Sequence, residues 1–285
     1  MKRKIIIGLL IFFTIFVIAL KFPTLHKKGY TQTLTTLMYH HFVNEYDGTN
    51  AVSADTFDKQ LSEFESLGYN FVSLKDVKRF VKYGLPLPEN PVLITMDDGY
   101  LSNITIAAPI LEKHNASAAV AVIGCSIGKD TYKDTSAPIT PHFTLDQAKP
   151  FVKKGTLEII SHTFDMHNVT TLDGEDCRVG MLPLENETAQ EYKNALEKDF
   201  DKLEKTLKST FKTPLYALAY PYGWYSEELE SFLKDRGILI TFTTNHGTNE
   251  LSVKNEDSLR LLNRIAMYEA SDVKTIIDSI KGDKK

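Results

Sequence analysis

Short apolar runs of strand length alternate with amphipathic stretches between residues 34 and 266, and this alternation most limits the possible folds. The predicted strands are 35–39, 70–72, 92–96, 118–123, 157–160, 215–220 and 238–242, with 261–266 as an eighth candidate. The predicted helices, with apolar residues at helical spacing, are 54–67, 74–83, 103–114, 145–153, 188–207 and 226–236. Such repeated units indicate a parallel sheet with right-handed crossovers. They predict an α/β fold, a (β/α) barrel of seven or eight strands that is complete or incomplete. An open doubly wound sheet is the alternative.

Chemically versatile side chains follow the predicted strands. They are His40 and His41, Asp97 and Asp98, His162, Tyr220 and Tyr222, and His246. The active site of a (β/α) barrel is built at the C-terminal ends of its strands, so these groups are expected to meet on one face. The long polar stretches 124–143 and 163–187 are expected to line the mouth of the barrel.

The N-terminus resembles an export signal. Three basic residues at positions 2–4 precede residues 5–20, which carry no charge. This pattern predicts a signal peptide or a membrane anchor. Because no small-x-small cleavage site follows, we favour an anchor. We therefore expect residues 1–28 to be a signal or anchor with its linker, and residues 29–285 to be the catalytic domain. We expect this domain to lie outside the cell, either at the cell surface or secreted. We also expect it to be a monomer.

Charge and cysteine content exclude other classes. Residues 1–28 hold six basic side chains and no acid, which leaves 27 basic against 37 acidic side chains, a net of −10, in the remainder. Nucleic-acid binding needs clustered positive charge, so no nucleic-acid partner is expected. Cys125 and Cys177 are too few for a disulfide-rich scaffold, and whether they pair stays open.

Asp98, His162 and His167 have the composition of a catalytic metal site, with three protein ligands and an open position. Zinc is the expected ion, and cobalt or nickel also suit imidazole and carboxylate ligands. The alternatives are an ordinary Asp-Asp-Gly turn and two structural histidines. At the end of the first strand His40 is a candidate proton donor, whereas strand alternation points His41 to the opposite side, in a structural role.

These motifs resemble those of the polysaccharide deacetylases, the NodB-like carbohydrate esterase family 4. Thr95-Met-Asp-Asp-Gly-Tyr100 is similar to the family's Thr-Phe-Asp-Asp-Gly-Tyr signature, and Ser161-His162-Thr163 with His167 is similar to its second motif. Most members have HxxxH. The HxxxxH spacing, the early Met38-Tyr-His-His41 and Ala219-Tyr-Pro-Tyr-Gly223 resemble the branch that deacetylates poly-β-1,6-N-acetyl-D-glucosamine in biofilms.

The resemblance implies a role for each matching residue. Asp97 would be the catalytic base and His40 the general acid, while Asp98, His162 and His167 would hold the metal. The backbone N–H of Tyr222 would help to bind the oxyanion. From their position near the site, Tyr220, Tyr222 and Trp224 are predicted to contact the substrate by stacking on sugar rings.

The sequence also departs from the family. No Arg lies in residues 215–222, where the wider family has one that tunes the base, and Arg264 is the candidate substitute. The late Leu-x-His motif is missing, in keeping with His40 as acid. The implied partner is an N-acetylglucosamine polysaccharide. Peptidoglycan or chitooligosaccharide deacetylation, peptide hydrolysis and a non-catalytic glycan-binding relative are the alternatives.

Overall fold

The computed structural model describes residues 24–168 and 177–282. Eleven strands occur in this part of the chain: β1 Thr31–Tyr39, β2 Phe42–Val43, β3 Val52–Ser53, β4 Asn70–Val72, β5 Pro91–Met96, β6 Ala118–Val122, β7 Leu157–Ser161, β8 Ala217–Ala219, β9 Ile240–Phe242, β10 Asn249–Ser252 and β11 Ile265–Ala266. The α-helices are α1 Ala54–Ser66, α2 Leu74–Tyr83, α3 Ala108–Lys113, α4 Leu145–Lys154, α5 Ala189–Lys208, α6 Glu227–Asp235 and α7 Val273–Gly282.

The main sheet curls into an incomplete (β/α) barrel, as predicted. Parallel pairing runs from β1 through β5, β6, β7 and β8 to β9. Beyond β9 a single parallel bridge joins Phe242 to Leu262, and β11 then pairs with β1. A backbone hydrogen bond from the N–H of Arg264 to the carbonyl of Asn245 adds to this bridge. The strands thus follow a ring, and their C-terminal ends face a common mouth.

Several features of the sheets and helices differ from the sequence prediction, and the pair β2 and β3 was not predicted. β4 pairs only with the start of β5 and takes no place of its own in the ring. β10 was not predicted, and it extends the sheet by pairing antiparallel with the first residues of β1. The predicted helix 103–114 is divided, with a π-helical turn at Asn103–Ala107 before α3.

Local sequence signals set where several helices begin and end. Ser73, Thr144 and Thr188 each cap a helix reciprocally with the residue three positions later, which is a capping box. α2 and α4 end at glycines in the left-handed conformation, Gly84 and Gly155. These caps fix the helices that surround the barrel.

The strands bury side chains in two clusters. One cluster lies between strands and helices and includes Ile94 and Met96 of β5 with Phe57 and Phe64 of α1. The other includes Leu93 of β5 and four alanines, two each on β6 and β8, together with Phe242. The small alanine side chains leave room for larger side chains beside them. One larger side chain close to this cluster is Arg264, whose guanidinium lies 5.9 Å from the Phe242 ring centroid.

The predicted apolar N-terminal segment lies in residues 1–23, outside the described residues. Within residues 24–168 and 177–282, no helix is long and apolar enough to cross a membrane. Cys125 and Cys177 are both free thiols in the described structure.

Candidate active site

The candidate site begins where β5 ends at the mouth of the barrel. Asp97 and Asp98 follow this strand, and Asp98 and Gly99 both have left-handed backbone, with φ of 73° and 81°. A Cβ atom on Gly99 would lie 3.0 Å from a side-chain carbon of Val122, so glycine suits both the turn and the close approach. This turn directs two adjacent carboxylates into different surroundings.

Asp97 forms a buried, bidentate ion pair with Arg264. The two guanidinium nitrogens donate to the two carboxylate oxygens at 2.7 and 2.8 Å, and both residues are at most 2% exposed. Arg264 is itself held by Thr95 and by the carbonyl of Thr243. Burial acts to raise the pKa of Asp97, but the charge of Arg264, helped by His162 and by the Arg264 hydrogen bonds, outweighs burial and holds this pKa well below its ordinary value.

Asp98, His162 and His167 converge on one point. Their potential ligand atoms all lie within 4.8 Å of one another, and the Nε2 atoms of the two histidines are 3.5 and 3.6 Å from Asp98 Oδ1. This Oδ1 is buried and has no hydrogen-bond partner among the described residues. Leaving a buried carboxylate oxygen unpaired is costly, and a cation bound by the three side chains would remove that cost. The residues therefore fit a divalent metal.

Each histidine presents one ring nitrogen to this point because the other faces a polar neighbour. His162 Nδ1 lies 2.8 Å from the carbonyl oxygen of Ala219, which assigns the proton to Nδ1 and leaves Nε2 free to bind a metal. His167 Nδ1 lies 3.3 Å from the Tyr222 hydroxyl. Burial, reinforced by His162, lowers the pKa of His167 to about 4, so its ring is neutral at pH 7, as a metal ligand must be.

His40 follows β1 at the same mouth and is exposed to solvent. The buried Asn103 donates from its amide to the His40 carbonyl at 2.7 Å, which fixes the backbone there. His40 is also close enough to Asp97 to help lower its pKa. His41 has its Nδ1 2.8 Å from the hydroxyl of Ser102, in keeping with the structural role predicted for it.

The aromatic residues after β8 separate into two groups. Tyr222 has a left-handed backbone, with φ of 60°, and its ring packs between His167 and Trp224, at centroid distances of 4.6 and 5.6 Å. Trp224 is 49% exposed beside it. The prediction of a substrate contact is wrong for Tyr220, because its ring is fully buried and its hydroxyl donates to Glu230. Tyr222 and Trp224 remain available at the mouth.

The hydrogen bonds of Tyr222 and Asn103 were not predicted from the sequence. The Tyr222 hydroxyl donates to the carbonyl of Asn168 at 3.0 Å while facing His167. Asn103 lies in the π-helical turn, and its polar side chain within an otherwise apolar helical pattern is the one sequence signal of its role.

The fold and these motifs agree with a family comparison. The polysaccharide deacetylase family model matches residues 84–240, more than half of the chain. The chain therefore belongs to the polysaccharide deacetylase family, a family of hydrolases.

Individual relatives point in the same direction. A poly-β-1,6-N-acetyl-D-glucosamine N-deacetylase of Staphylococcus aureus (strain MRSA252) is 24% identical over 218 residues, which are 76% of this chain and 69% of that protein. A de-N-acetylase structure from Aggregatibacter actinomycetemcomitans aligns with a TM-score of 0.73 at 22% identity, covering 87% of this chain and 99% of that one. IcaB from Ammonifex degensii aligns with a TM-score of 0.67 at 21% identity, covering 91% and 99%. These structures share the fold of this chain.

Proposed function

We propose that this protein is a metal-dependent N-deacetylase that removes acetyl groups from a poly-β-1,6-N-acetyl-D-glucosamine chain outside the cell. The observation that carries the proposal is the convergence of Asp98, His162 and His167 beside the Asp97–Arg264 pair. The HxxxxH spacing and the name of the Staphylococcus aureus relative support this polymer over peptidoglycan or chitooligosaccharides.

The chain's own residues supply the proton transfers. A divalent cation, zinc by preference, held by Asp98, His162 and His167 would polarise the acetyl carbonyl and lower the pKa of the attacking water towards ~7. That lowering suits Asp97, which accepts the proton although its own pKa is held low. Arg264 keeps the Asp97 carboxylate ionised and fixes its plane.

The later steps need an oxyanion donor and an acid. The backbone N–H of Tyr222, a residue with a φ of 60°, would donate to the developing oxyanion. His40 protonates the departing sugar amine, which is a very poor leaving group as an anion. The solvent-exposed position of His40 allows it to be reprotonated after each turnover. The exposed Trp224 and the neighbouring Tyr222 ring would stack on the sugar.

The proposed location is the cell surface, through the apolar residues 5–20 as a membrane anchor or a secretion signal. Fractionation of the producing cells tests this location. Full-length chain in the membrane fraction supports an anchor, a shortened chain in the medium supports secretion, and intact chain in the cytosol contradicts export.

Acetate release from defined β-1,6-N-acetylglucosamine oligomers tests the activity. We expect acetate from these oligomers, its loss after treatment with a chelator, and its return with added Zn²⁺, because the three ligands hold the cation. Peptidoglycan and β-1,4 chitooligosaccharides are the matched substrates. Greater release from either of them would replace the proposed polymer, and undiminished release from metal-free protein would contradict the metal.

A further inference from the structure

The segment from His162 to His167 carries two of the three proposed metal ligands and is neither helix nor strand. Its geometry must therefore be fixed by contacts with other parts of the chain. Within the segment, Thr163 has a φ of 71°, and its hydroxyl accepts a hydrogen bond from the N–H of Met166 at 3.1 Å. This single internal bond leaves the middle of the segment, Phe164 and Asp165, to be held from outside.

Asp199 of α5 holds that middle from one side. Its Oδ1 accepts the N–H of Phe164 at 2.8 Å, and its Oδ2 accepts the N–H of Asp165 at 2.7 Å. A carboxylate offers two acceptor oxygens, whereas an asparagine offers one and turns an N–H₂ donor towards the second N–H. The contact therefore needs a carboxylate.

The turn that follows β6 holds the segment from the other side. The N–H of Gly124 donates to the carbonyl of Thr163 at 3.0 Å, and the N–H of Cys125 donates to the carbonyl of Phe164 at 2.8 Å. A Cβ atom on Gly124 would lie 2.9 Å from the Phe164 Cα, which is too close. The segment is thus clamped between Asp199 and residues 124–125.

The charge at this position is maintained against burial. Burial raises the pKa of Asp199 to about 6, and the nearby Asp165 adds to the rise. The two backbone N–H groups and Lys202, whose Nζ lies 4.4 Å from the Phe164 ring centroid, oppose that rise. An uncharged residue at this position of α5 would avoid the free-energy cost of burying a charge. The reason for a carboxylate here is therefore the pair of hydrogen bonds that it accepts from Phe164 and Asp165.

We propose that Asp199 is a positioning residue which fixes the separation of His162 and His167 and thereby sets the affinity of the site for its cation. The inference rests on the proposed metal-dependent function. Asp199 makes no contact with substrate or metal in this role. It acts on the backbone that carries both histidines, as partners outside the ligand shell of a metal do elsewhere.

Cobalt binding by the full-length protein tests the proposal. Cobalt affinity is measured by competition with a chelator, and the ligand geometry by the visible absorption of bound Co²⁺. We expect Asp199→Asn to weaken Co²⁺ binding by about 10- to 100-fold and to alter the absorption spectrum. Asp201→Asn is the matched control, because Asp201 lies on the same helix and bonds Arg236 at the surface. It should bind Co²⁺ like the wild type.

A second variant separates positioning from general stability. Asp199→Glu keeps both acceptor oxygens and should recover part of the affinity, which also provides a folded variant if Asp199→Asn does not fold. Wild-type affinity and spectrum in Asp199→Asn, with or without a lower melting temperature, would overturn the proposal. If the wild-type protein binds Co²⁺ but releases no acetate, the proposed deacetylase activity is refuted, and Co²⁺ binding by the Asp199 variants still tests the role of Asp199. If the wild-type protein binds no Co²⁺, both proposals are refuted.

Discussion

Asp97 and Asp98 are adjacent in the chain, yet one carboxylate is fully paired and the other is not. Both oxygens of Asp97 accept hydrogen bonds from Arg264, and both residues are at most 2% exposed. Asp98 faces two histidines and keeps a buried oxygen without a partner in the described structure. Paired charge fixes the orientation of a carboxylate, and an unpaired lone pair leaves it able to bind a cation. The turn at Asp98–Gly99 thus produces two chemical functions from two identical side chains.

The largest expected effect comes from the same substitution at each of these positions. Asp97→Asn should lower deacetylation by about 10³-fold or more, because the amide cannot accept the proton, and should retain metal. Asp98→Asn should lose both activity and metal, because it removes the charged ligand. Acetate release and metal content per chain are the two measurements. Equal metal loss in the two variants would show that the two carboxylates do not have separate roles.

His40 provides the next largest effect and sharpens the role of Asp97. His40→Ala should slow amide cleavage by about 10²- to 10⁴-fold, because the amine then leaves unprotonated. An aryl acetate needs no protonation of its phenolate, so the ratio of ester to amide activity should rise sharply. The same ratio in Asp97→Asn should stay nearly constant, because both substrates need an activated water. A constant ratio in His40→Ala would exclude His40 as the acid and make the exposed His246 the next candidate.

Removing Arg264 should break the paired half of the comparison, and the effect is expected on stability. Arg264→Met leaves Asp97 as a buried charge without its partner, and we expect a loss of roughly 3–5 kcal/mol in the free energy of unfolding. Urea denaturation measures that loss. Arg236→Met is the matched control, since Arg236 pairs with Asp201 near the surface, where such pairs contribute about 0–1 kcal/mol. Similar losses in both variants would show that the buried Arg264–Asp97 pair contributes no more to the free energy of unfolding than a surface pair.

Much of the fold was predictable because it depends on local pattern. The barrel strands β5, β6 and β7 fall within a residue of their predicted bounds, since each is a continuous apolar run. β11 occupies only the last two residues of the eighth candidate, 261–266. β10 is four residues long with one apolar residue, Leu251, which is too short a pattern to predict a strand. The division of the helix at Asn103 depends on what surrounds that side chain and has no periodic signature.

The candidate site was predictable to the same degree. Asp98, His162 and His167 follow strand ends, and parallel strands bring their ends to one face, so their convergence follows from the order of elements. Tyr220 and Trp224 gave similar signals, yet one is buried and the other is exposed. Two aromatic residues four positions apart beyond a short strand cannot be separated by pattern when the chain bends between them, as it does at Tyr222.

The sequence by itself determined the alternation of strands and helices, the placement of carboxylates and histidines at strand ends, and the family motifs. Only the tertiary structure decided which groups satisfy one another. Arg264 reaches Asp97 across 167 positions of sequence, and Asp199 reaches Phe164 across 35. The local sequence pattern shows the spacing of the apolar residues, and the backbone geometry of a strand or helix fixes that spacing. Pairing between distant polar groups depends on how the packed elements face one another, and the local sequence pattern contains no information about this packing.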